Sequence, residues 1–411
     1  MENMNIVFVG HVDHGKSTLI GRLLYDTNSL PPDKVEEVKK TCEALGKEME
    51  FGFILDHLQE EREQGITIDT CQIFFKTDKR NYVIIDAPGH VEFIKNMITG
   101  ASQAEAAILI IDANEGVKEQ TKRHAYILGM LGLKQIIVLI NKMDLVDYKE
   151  ERFNEVKQDI ALFFKKLNLK PSYTIPVAAK YGENIAKESK KMIWYKGKTF
   201  LSCLDTFKIK EKSSDKALRF PIQDAYKIDN KRIFAGRIES GTIRQGDEIT
   251  ILPQNTKTKV KSVEKFLEKP TMAEAGESIG ITTEDPLFIE RGNIICHSGN
   301  LPRITDRIKA NVFWMSKSDF NINELITLKL ATQEVSAKIE KIEKKINSST
   351  LEEIKEDIDT LKNNEAGTMI IKTLSPIVAD DFNYVPELGR FVFEKNMITC
   401  AGGIITKQQE V

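Results

Sequence analysis

The chain has few of the features that mark secreted, membrane or metal-scaffold proteins. Its five cysteines are scattered and form no CxxC pair, which argues against a disulfide or zinc framework. No apolar run approaches the length of a membrane-spanning helix, and the first residues lack the pattern of a signal peptide. The six histidines include no HxH or HExxH pair. These absences predict a cytoplasmic protein with reduced thiols and no membrane contact.

Net charge is also small, because 59 basic residues are balanced by 61 acidic ones. A chain that binds nucleic acid mainly by neutralising phosphates usually carries a clear basic excess. The composition therefore does not mark the whole chain as a nucleic-acid binder, although a local basic face remains compatible with it.

The 411 residues fit two or three domains. Residues 1–210 alternate short apolar strands with helical stretches, which predicts an α/β domain with a mostly parallel sheet and helices on both faces. A polar linker at 208–216 separates it from two predicted β-barrel domains, 217–302 and 303–411, where short strands alternate with turn signals. Residues 335–364 are ambiguous, and their Glu, Lys and Ile content alone favours a solvent-exposed helix.

The strongest motif is GHVDHGKST, which follows a predicted strand and opens a predicted helix. It fits the P-loop pattern GxxxxGK[ST], whose glycines let backbone N–H groups surround phosphates at a helix N-terminus. In this pattern Lys16 reaches the β- and γ-phosphates and the Ser17 hydroxyl binds Mg²⁺. The predicted nucleotide-binding residues of this loop are Gly10, His11, Val12, Asp13, His14, Gly15, Lys16, Ser17 and Thr18.

A second motif, DAPGH, follows the strand predicted at 82–85. A carboxylate at Asp86 can hold a magnesium-bound water, and Gly89 can present its N–H to the γ-phosphate. Alone this motif is a common turn, but its position downstream of a P-loop strengthens the prediction. His90 stands one residue past this turn, which sets it apart from the other histidines.

A third motif, NKMD, follows the strand predicted at 135–140. Asp144 can accept hydrogen bonds from N1–H and the 2-amino group of guanine, and adenine lacks that amino group. A site built on such bonds rejects the wrong base by about 10⁴-fold or more. The alternative, a pair of helix-capping side chains, is weakened by the chain order of the three motifs.

A loop threonine, Thr67, lies in the segment EREQGITID. A threonine in a mobile loop can bind Mg²⁺ only while a γ-phosphate is present, so such a loop senses the nucleotide. From the residues alone, an ordinary loop threonine remains the alternative.

The motifs resemble, in content and order, the translation-factor class of GTPases, in which a G domain precedes two β-barrels. The resemblance implies GTP and Mg²⁺ as cofactors, with Mg²⁺ held by Ser17, Thr67 and, through a water, Asp86. It also implies that His90 orients the attacking water. The implied catalytic residues are Lys16, Thr67, Gly89 and His90, and the implied guanine contacts are Asn141, Lys142, Asp144, Ala178, Ala179 and Lys180.

Within that class the switch loop at 58–69 is similar to that of the large, GTPase subunit of bacterial sulfate adenylyltransferase. The segments 219–223, 240–248 and 387–391 are similar too. The resemblance implies that GTP hydrolysis by this chain drives formation of adenylyl sulfate from ATP and sulfate. The implied partner is a smaller adenylyltransferase subunit in a hetero-oligomer. An adenylyl-sulfate kinase, where one is used, would be a separate protein.

The alternative is an elongation-factor-like GTPase that carries aminoacyl-tRNA to the ribosome. Carriers of that type end in a strand with cations where Glu394 and Ile398 stand here. A carboxylate at that position would repel tRNA phosphates. The sequence therefore favours sulfate activation and argues against tRNA as a partner.

Overall fold

The computed structural model describes residues 3–30, 35–36, 40, 42–43, 51–52, 72–85, 104–209, 213–228, 231–265, 268 and 270–406. Contacts divide the chain into two compact units, Met1–Ile209 with Ser348–Leu351, and Lys210–Asn347 with Glu352–Val411. Over the ranges given above, no helix combines the length and the apolar character needed to span a bilayer.

The first unit is built on a six-stranded sheet in the order β2-β3-β1-β4-β5-β6. Its strands are β1 (Asn3–Gly10), β2 (Gln72–Lys76), β3 (Asn81–Ile85), β4 (Ala106–Asp112), β5 (Ile136–Asn141) and β6 (Tyr173–Pro176). Its described helices are α1 (Lys16–Asp26), α2 (Glu119–Met130), α3 (Glu150–Lys166) and α4 (Phe200–Leu204). Only β2 runs antiparallel to its neighbour. The predicted α/β fold with a mostly parallel sheet is confirmed.

Burial explains the arrangement of this unit. Every residue of β4 and of β5 is buried, as expected for apolar strands covered on both faces. Helix α3 turns Phe153, Val156 and Ile160 inward at helical spacing. Because β1, β4 and β5 are parallel, their carboxyl ends meet at one edge of the sheet, where loops of such sheets bind ligands.

The second unit contains two closed β-barrels. The first is formed by β7 (Phe220–Ile228), β8 (Lys231–Arg237), β10 (Glu248–Leu252), β11 (Thr256–Glu264), β13 (Ser278–Thr283) and β14 (Ile294–His297), with β9 (Thr242–Arg244) and β12 (Met272–Glu274) paired beside it. The second is formed by β15 (Arg303–Trp314), β17 (Ile326–Leu330), β18 (Gln333–Asn347), β20 (Glu365–Ala379), β21 (Arg390–Lys395) and β22 (Ile398–Ile405), with β16 (Phe320–Asn321) and β19 (Thr360–Leu361) paired beside it. A short helix, α5 (Pro386–Gly389), precedes β21.

The helix favoured for 335–364 is wrong, because β18 occupies most of the first half of that range. Two bulges in its pairing with β20 each add one residue, between Ile339 and Lys341 and between Ile342 and Lys344. The bulges stretch the spacing of Ile339, Ile342 and Ile346 to three and four residues. That spacing imitates the apolar face of a helix.

Glu239 is held among charges where the two barrels of the second unit adjoin. Burial raises its pKa to about 7, and the nearby carboxylate of Glu387 adds to the rise. Arg237 and Arg390 oppose the shift. The folded protein therefore binds a proton at Glu239 more tightly than the unfolded chain does.

Replacing Glu239 by Gln is expected to stabilise the fold at pH 8 but not at pH 4. The stability that protonated Glu239 contributes is fully present below the unfolded pKa of 4.5. It is lost as the pH rises through the folded pKa of about 7. Glutamine cannot ionise, so the gain at pH 8 should reach at most about 3 kcal/mol. Thermal unfolding followed by circular dichroism at both pH values measures it. The exposed Glu268→Gln on the same barrel is the control, and an equal gain at both pH values would contradict the prediction.

Candidate nucleotide-binding site

The P-loop lies between the end of β1 and the start of α1. Gly15 has a φ of +87°, and a Cβ on it would lie 2.5 Å from Nδ2 of Asn141. A Cβ on Gly10 would lie 2.8 Å from the carbonyl oxygen of Ile110. Both glycines are therefore required for the close approach of this loop to its neighbours. Helix α1 begins at Lys16, so Lys16, Ser17 and Thr18 form its first turn.

Two histidines of the P-loop bond it to neighbouring elements. His14 is fully buried, with Nδ1 3.3 Å from both the backbone N–H of Asp112 and the carbonyl oxygen of Ile110. Burial lowers the pKa of His14, so its ring is neutral at neutral pH. His11 makes a short hydrogen bond through Nδ1 to Oε1 of Gln120 on α2. The P-loop is thus hydrogen-bonded to β4 and to α2.

Asn141, at the end of β5, joins three predicted segments of the site. Its Nδ2 donates to the carbonyl oxygen of His14 at 2.9 Å, and its Oδ1 accepts from the backbone N–H of Ala179 at 3.0 Å. Asn141 is 2% exposed, so these bonds are shielded from water. The P-loop, the NKMD turn and the Ala178–Lys180 segment are therefore brought together.

The turn after Asn141 contains two more residues that the sequence analysis predicted to contact guanine, Lys142 and Asp144. Lys142 adopts a left-handed conformation with φ 59°, and a short 3-10 turn follows at Met143–Val146. Asp144 is half-buried in that turn. Ala178 and Ala179 are buried, whereas Lys180 is exposed.

One residue of the site has no counterpart among the motifs. Asp112 ends β4 with only 2% of its surface exposed, and its Oδ2 lies 2.9 Å from Nζ of Lys142. Its Oδ1 accepts from the backbone N–H groups of Asn114 and Glu115. The signal available in the sequence is a carboxylate directly after a fully apolar strand, at the same sheet edge as the P-loop.

Four predicted residues, Thr67, Asp86, Gly89 and His90, lie outside the described residues, as does the switch loop around Thr67. Strand β3 is described up to Ile85, directly before Asp86. Their predicted roles in Mg²⁺ binding and in water activation stay predictions.

Three family models match consecutive parts of the chain. The model of the elongation factor Tu GTP binding domain matches residues 1–225. Elongation factor Tu domain 2 matches residues 232–296, and the GTP-eEF1A C-terminal domain-like model matches residues 307–406. These models cover the sheet unit and both barrels.

Elongation factors 1-alpha from archaea are similar over the whole length. That of Pyrococcus furiosus is 40% identical over 420 residues, covering 99% of this chain and 98% of the relative. That of Methanopyrus kandleri is 40% identical over 422 residues, with 99% and 98% covered. That of Methanospirillum hungatei is 37% identical, with 98% and 96% covered. A solved structure of sup35 complexed with GDP is similar over all of this chain at 23% identity, with a TM-score of 0.46.

These relatives correct the predicted partners. All of them are translation elongation factors, and none indicates sulfate adenylyltransferase. The predicted smaller adenylyltransferase subunit, the separate kinase and the exclusion of tRNA are therefore wrong.

The structure also removes the physical objection to tRNA. Glu394 is not an isolated negative charge, because its carboxylate forms an ion pair with Lys329 on the neighbouring strand β17. Its side chain is only 18% exposed. A carboxylate paired with a lysine repels a distant phosphate far less than a free one does, because the two opposite charges largely cancel.

Replacing Asp112 by Asn is expected to weaken binding of GDP and GTP equally, by about tenfold. The amide oxygen still caps the Asn114 turn, so only the ion pair with Lys142 is lost and the lysine stem is less well held. Calorimetric titration of both nucleotides measures the change.

The control is Glu119→Gln at the start of α2, which removes a charge from a side chain that is 71% exposed and pairs with Arg123. If the Asp112→Asn protein bound GDP and GTP as tightly as the unaltered protein, Asp112 would only cap its loop and would have no part in nucleotide binding.

Proposed function

The chain belongs to the translation-factor GTPase family of elongation factor Tu and elongation factor 1-alpha, and we propose that it carries aminoacyl-tRNA to the ribosome. The observation that carries the proposal is the 40% identity to elongation factor 1-alpha over 99% of this chain and 98% of the relative. A match of that extent includes both barrels as well as the GTP-binding domain. The proposed cycle is GTP-dependent binding of aminoacyl-tRNA, followed by GTP hydrolysis and release.

The P-loop geometry supports binding of a nucleotide with Mg²⁺. The loop closes tightly around Gly15 at the N-terminus of α1, where backbone N–H groups and the helix dipole favour phosphate. Lys16 would neutralise the β- and γ-phosphates. Ser17, with Thr67 and a water on Asp86, would hold Mg²⁺, which supplies charge neutralisation at the phosphates when bound.

The base is proposed to lie over the turn that Asn141 and Asp112 hold. Asp144 would accept from guanine N1–H and the 2-amino group, and the N–H of Ala179 would donate to guanine O6. The Lys142 stem, held at its far end by Asp112, would cover one face of the ring. His90 would orient the attacking water, a role that rests on the family resemblance.

Replacing Asp144 by Asn is expected to lower GTP affinity by about 10²-fold or more and to raise affinity for xanthosine triphosphate. The amide can donate to the xanthine 2-oxo group, which a carboxylate repels. Titrations with GTP, XTP and ATP in the presence of Mg²⁺ measure the shift.

Asp159→Asn on α3 is the matched control, because it makes the same chemical change at an exposed residue outside the turn. Comparable GTP and ATP affinities in the unaltered protein would refute guanine recognition.

Lysines on the second barrel support binding of a polyanion. Lys338 on β18 stands directly opposite Lys372 on β20, a like-charge pair that weakens a sheet in the absence of a counter-ion. Lys341 and Lys344 extend the row, and all four are exposed. The two glutamates between them are already paired: Glu340 with Arg307 and Glu343 with Lys309. The row therefore keeps its charge for a partner such as the phosphates of a tRNA stem.

The first barrel offers a surface suited to unpaired bases. Tyr226 and Ile228 at the end of β7 are 49% and 53% exposed, and Phe288 is 83% exposed. The guanidinium of Arg232 lies 4.8 Å from the centre of the Phe288 ring. Aromatic and guanidinium planes stack on single-stranded bases, as at a tRNA acceptor end.

The test is GTP-dependent binding of aminoacyl-tRNA, measured by filter retention at two salt concentrations. The double variant Lys338→Glu, Lys372→Glu is expected to weaken binding by about tenfold or more and to flatten the salt dependence, since phosphate contacts are lost. The control with equal charge change is Lys165→Glu, Lys166→Glu at the end of α3. Aminoacyl-tRNA that binds no better with GTP than with GDP would contradict the carrier role.

A further inference from the structure

We propose that Arg22, on α1, is a positioning residue for base recognition: its guanidinium holds the Ala178–Lys180 segment in the conformation that meets the base. The proposal rests on the guanine recognition put forward above and adds to it a residue that lies outside all of the sequence motifs. It assigns Arg22 to the base and leaves the phosphates to the P-loop.

The Ala178–Lys180 segment leads into a tight turn. A short 3-10 turn spans Ala179–Tyr181, and Gly182 ends it with a left-handed φ of 73°. Ala178 and Glu183 exchange two backbone hydrogen bonds across the turn, each 3.3 Å long. The position of Gly182 therefore determines the path of the residues directly before it.

The guanidinium of Arg22 occupies the space beside Gly182 that a side chain would take. A Cβ on Gly182 would lie 2.5 Å from Cζ and 2.8 Å from Nε of Arg22, and closer still to Nη2. Because these distances are nearly equal, the planar group turns its face to the glycine. Gly182 is therefore required both for its left-handed φ and for this contact.

Arg22 is itself held by its neighbours. Its Nε donates to Oδ1 of Asp26, one turn further along α1, at 2.9 Å. The two side chains are only 20% and 11% exposed, so solvent screens this pair weakly. Cζ of Arg22 lies 4.9 Å from the centre of the Phe51 ring, within the range of a cation–π contact. These contacts keep the guanidinium in place against Gly182.

The arrangement gives α1 a part at both ends of the nucleotide. The first turn of the helix contains Lys16 and Ser17 of the P-loop, and the next turn contains Arg22. Loss of the guanidinium would leave the P-loop unchanged but would free the turn at Gly182 to move. We therefore expect base contacts to weaken while phosphate contacts persist.

The experiment uses the full chain, unaltered and as Arg22→Met, and titrates it with GTP, ITP, ATP and inorganic tripolyphosphate in the presence of Mg²⁺. Methionine keeps an apolar stem and removes the planar charged group. ITP lacks only the 2-amino group of guanine, so the ratio of GTP to ITP affinity reports the proposed contact of that group with Asp144. Tripolyphosphate reports the P-loop without any base contact.

Arg22→Met is expected to lower the affinities for GTP and ITP by about tenfold each and to leave that for tripolyphosphate within twofold. Arg22→Lys should restore little, because an ammonium group cannot present a planar face to Gly182. The matched control is Arg123→Met on α2, since Arg123 pairs with Glu119 at the same spacing and is 23% exposed. It should leave all affinities within twofold.

A double variant tests the contact between the two residues. Gly182→Ala places a Cβ against the guanidinium and strains the backbone, so it should lower GTP affinity by more than about tenfold. Adding Arg22→Met removes the clash, and the combined loss should be smaller than the product of the two single losses. A combined loss equal to that product would show that the residues act independently and would refute the contact.

Two further results would overturn the role of Arg22. Equal losses for GTP, ITP and tripolyphosphate would make Arg22 a residue that supports the whole fold or the P-loop. A loss of GTP affinity without a loss of ITP affinity would assign its effect to the contact with Asp144. Failure of guanine recognition itself would be seen separately, as equal GTP and ATP affinities in the unaltered protein.

Discussion

The nucleotide site depends on one buried side-chain amide. Asn141 donates to the P-loop through the carbonyl oxygen of His14 and accepts from Ala179, so a single planar group sets the distance between the P-loop and the Ala178–Lys180 segment. Neither bond can be replaced by water, because the amide is buried. Gly15 is part of the same constraint: its missing Cβ is the space that the Asn141 amide occupies. The P-loop glycine thus serves the loop-to-loop contact as well as the path of the backbone.

The parts of the site that could be predicted from the sequence are those encoded locally. A P-loop is a strand, a turn and a helix start in consecutive residues, and NKMD follows directly from a buried strand. Asp112 could not be assigned this way, because its role arises from the pairing of β4 with β5, which places Asp112 opposite Asn141. The sequence predicted a mostly parallel sheet, but it did not predict which residues of neighbouring strands lie opposite each other. The contact of Asp112 with Lys142 depends on that register.

The failure at 335–364 has a related cause. Periodicity assigns a strand only while side chains alternate without interruption, and β18 is interrupted twice by bulges. Lys345 shows how far composition can mislead there: it suggested a solvated face, yet the side chain is buried and its Nζ donates to the carbonyl oxygens of Asp357 and Thr360. A buried lysine satisfied by two backbone oxygens and by the carboxylate of Glu365, 3.5 Å from its Nζ, is a feature of one particular fold that composition does not reveal.

Charge is the property on which the sequence was least informative, because a sum over the chain hides how charges are paired. Glu394 argued against tRNA as an isolated residue, but Lys329 neutralises it. Glu340 and Glu343 of β18 balance two of its lysines in a count of charges, yet they are paired with cations of β15 and leave the lysine row uncompensated. A chain of near-zero net charge therefore carries a basic surface on its second barrel that the sum of its charges does not reveal.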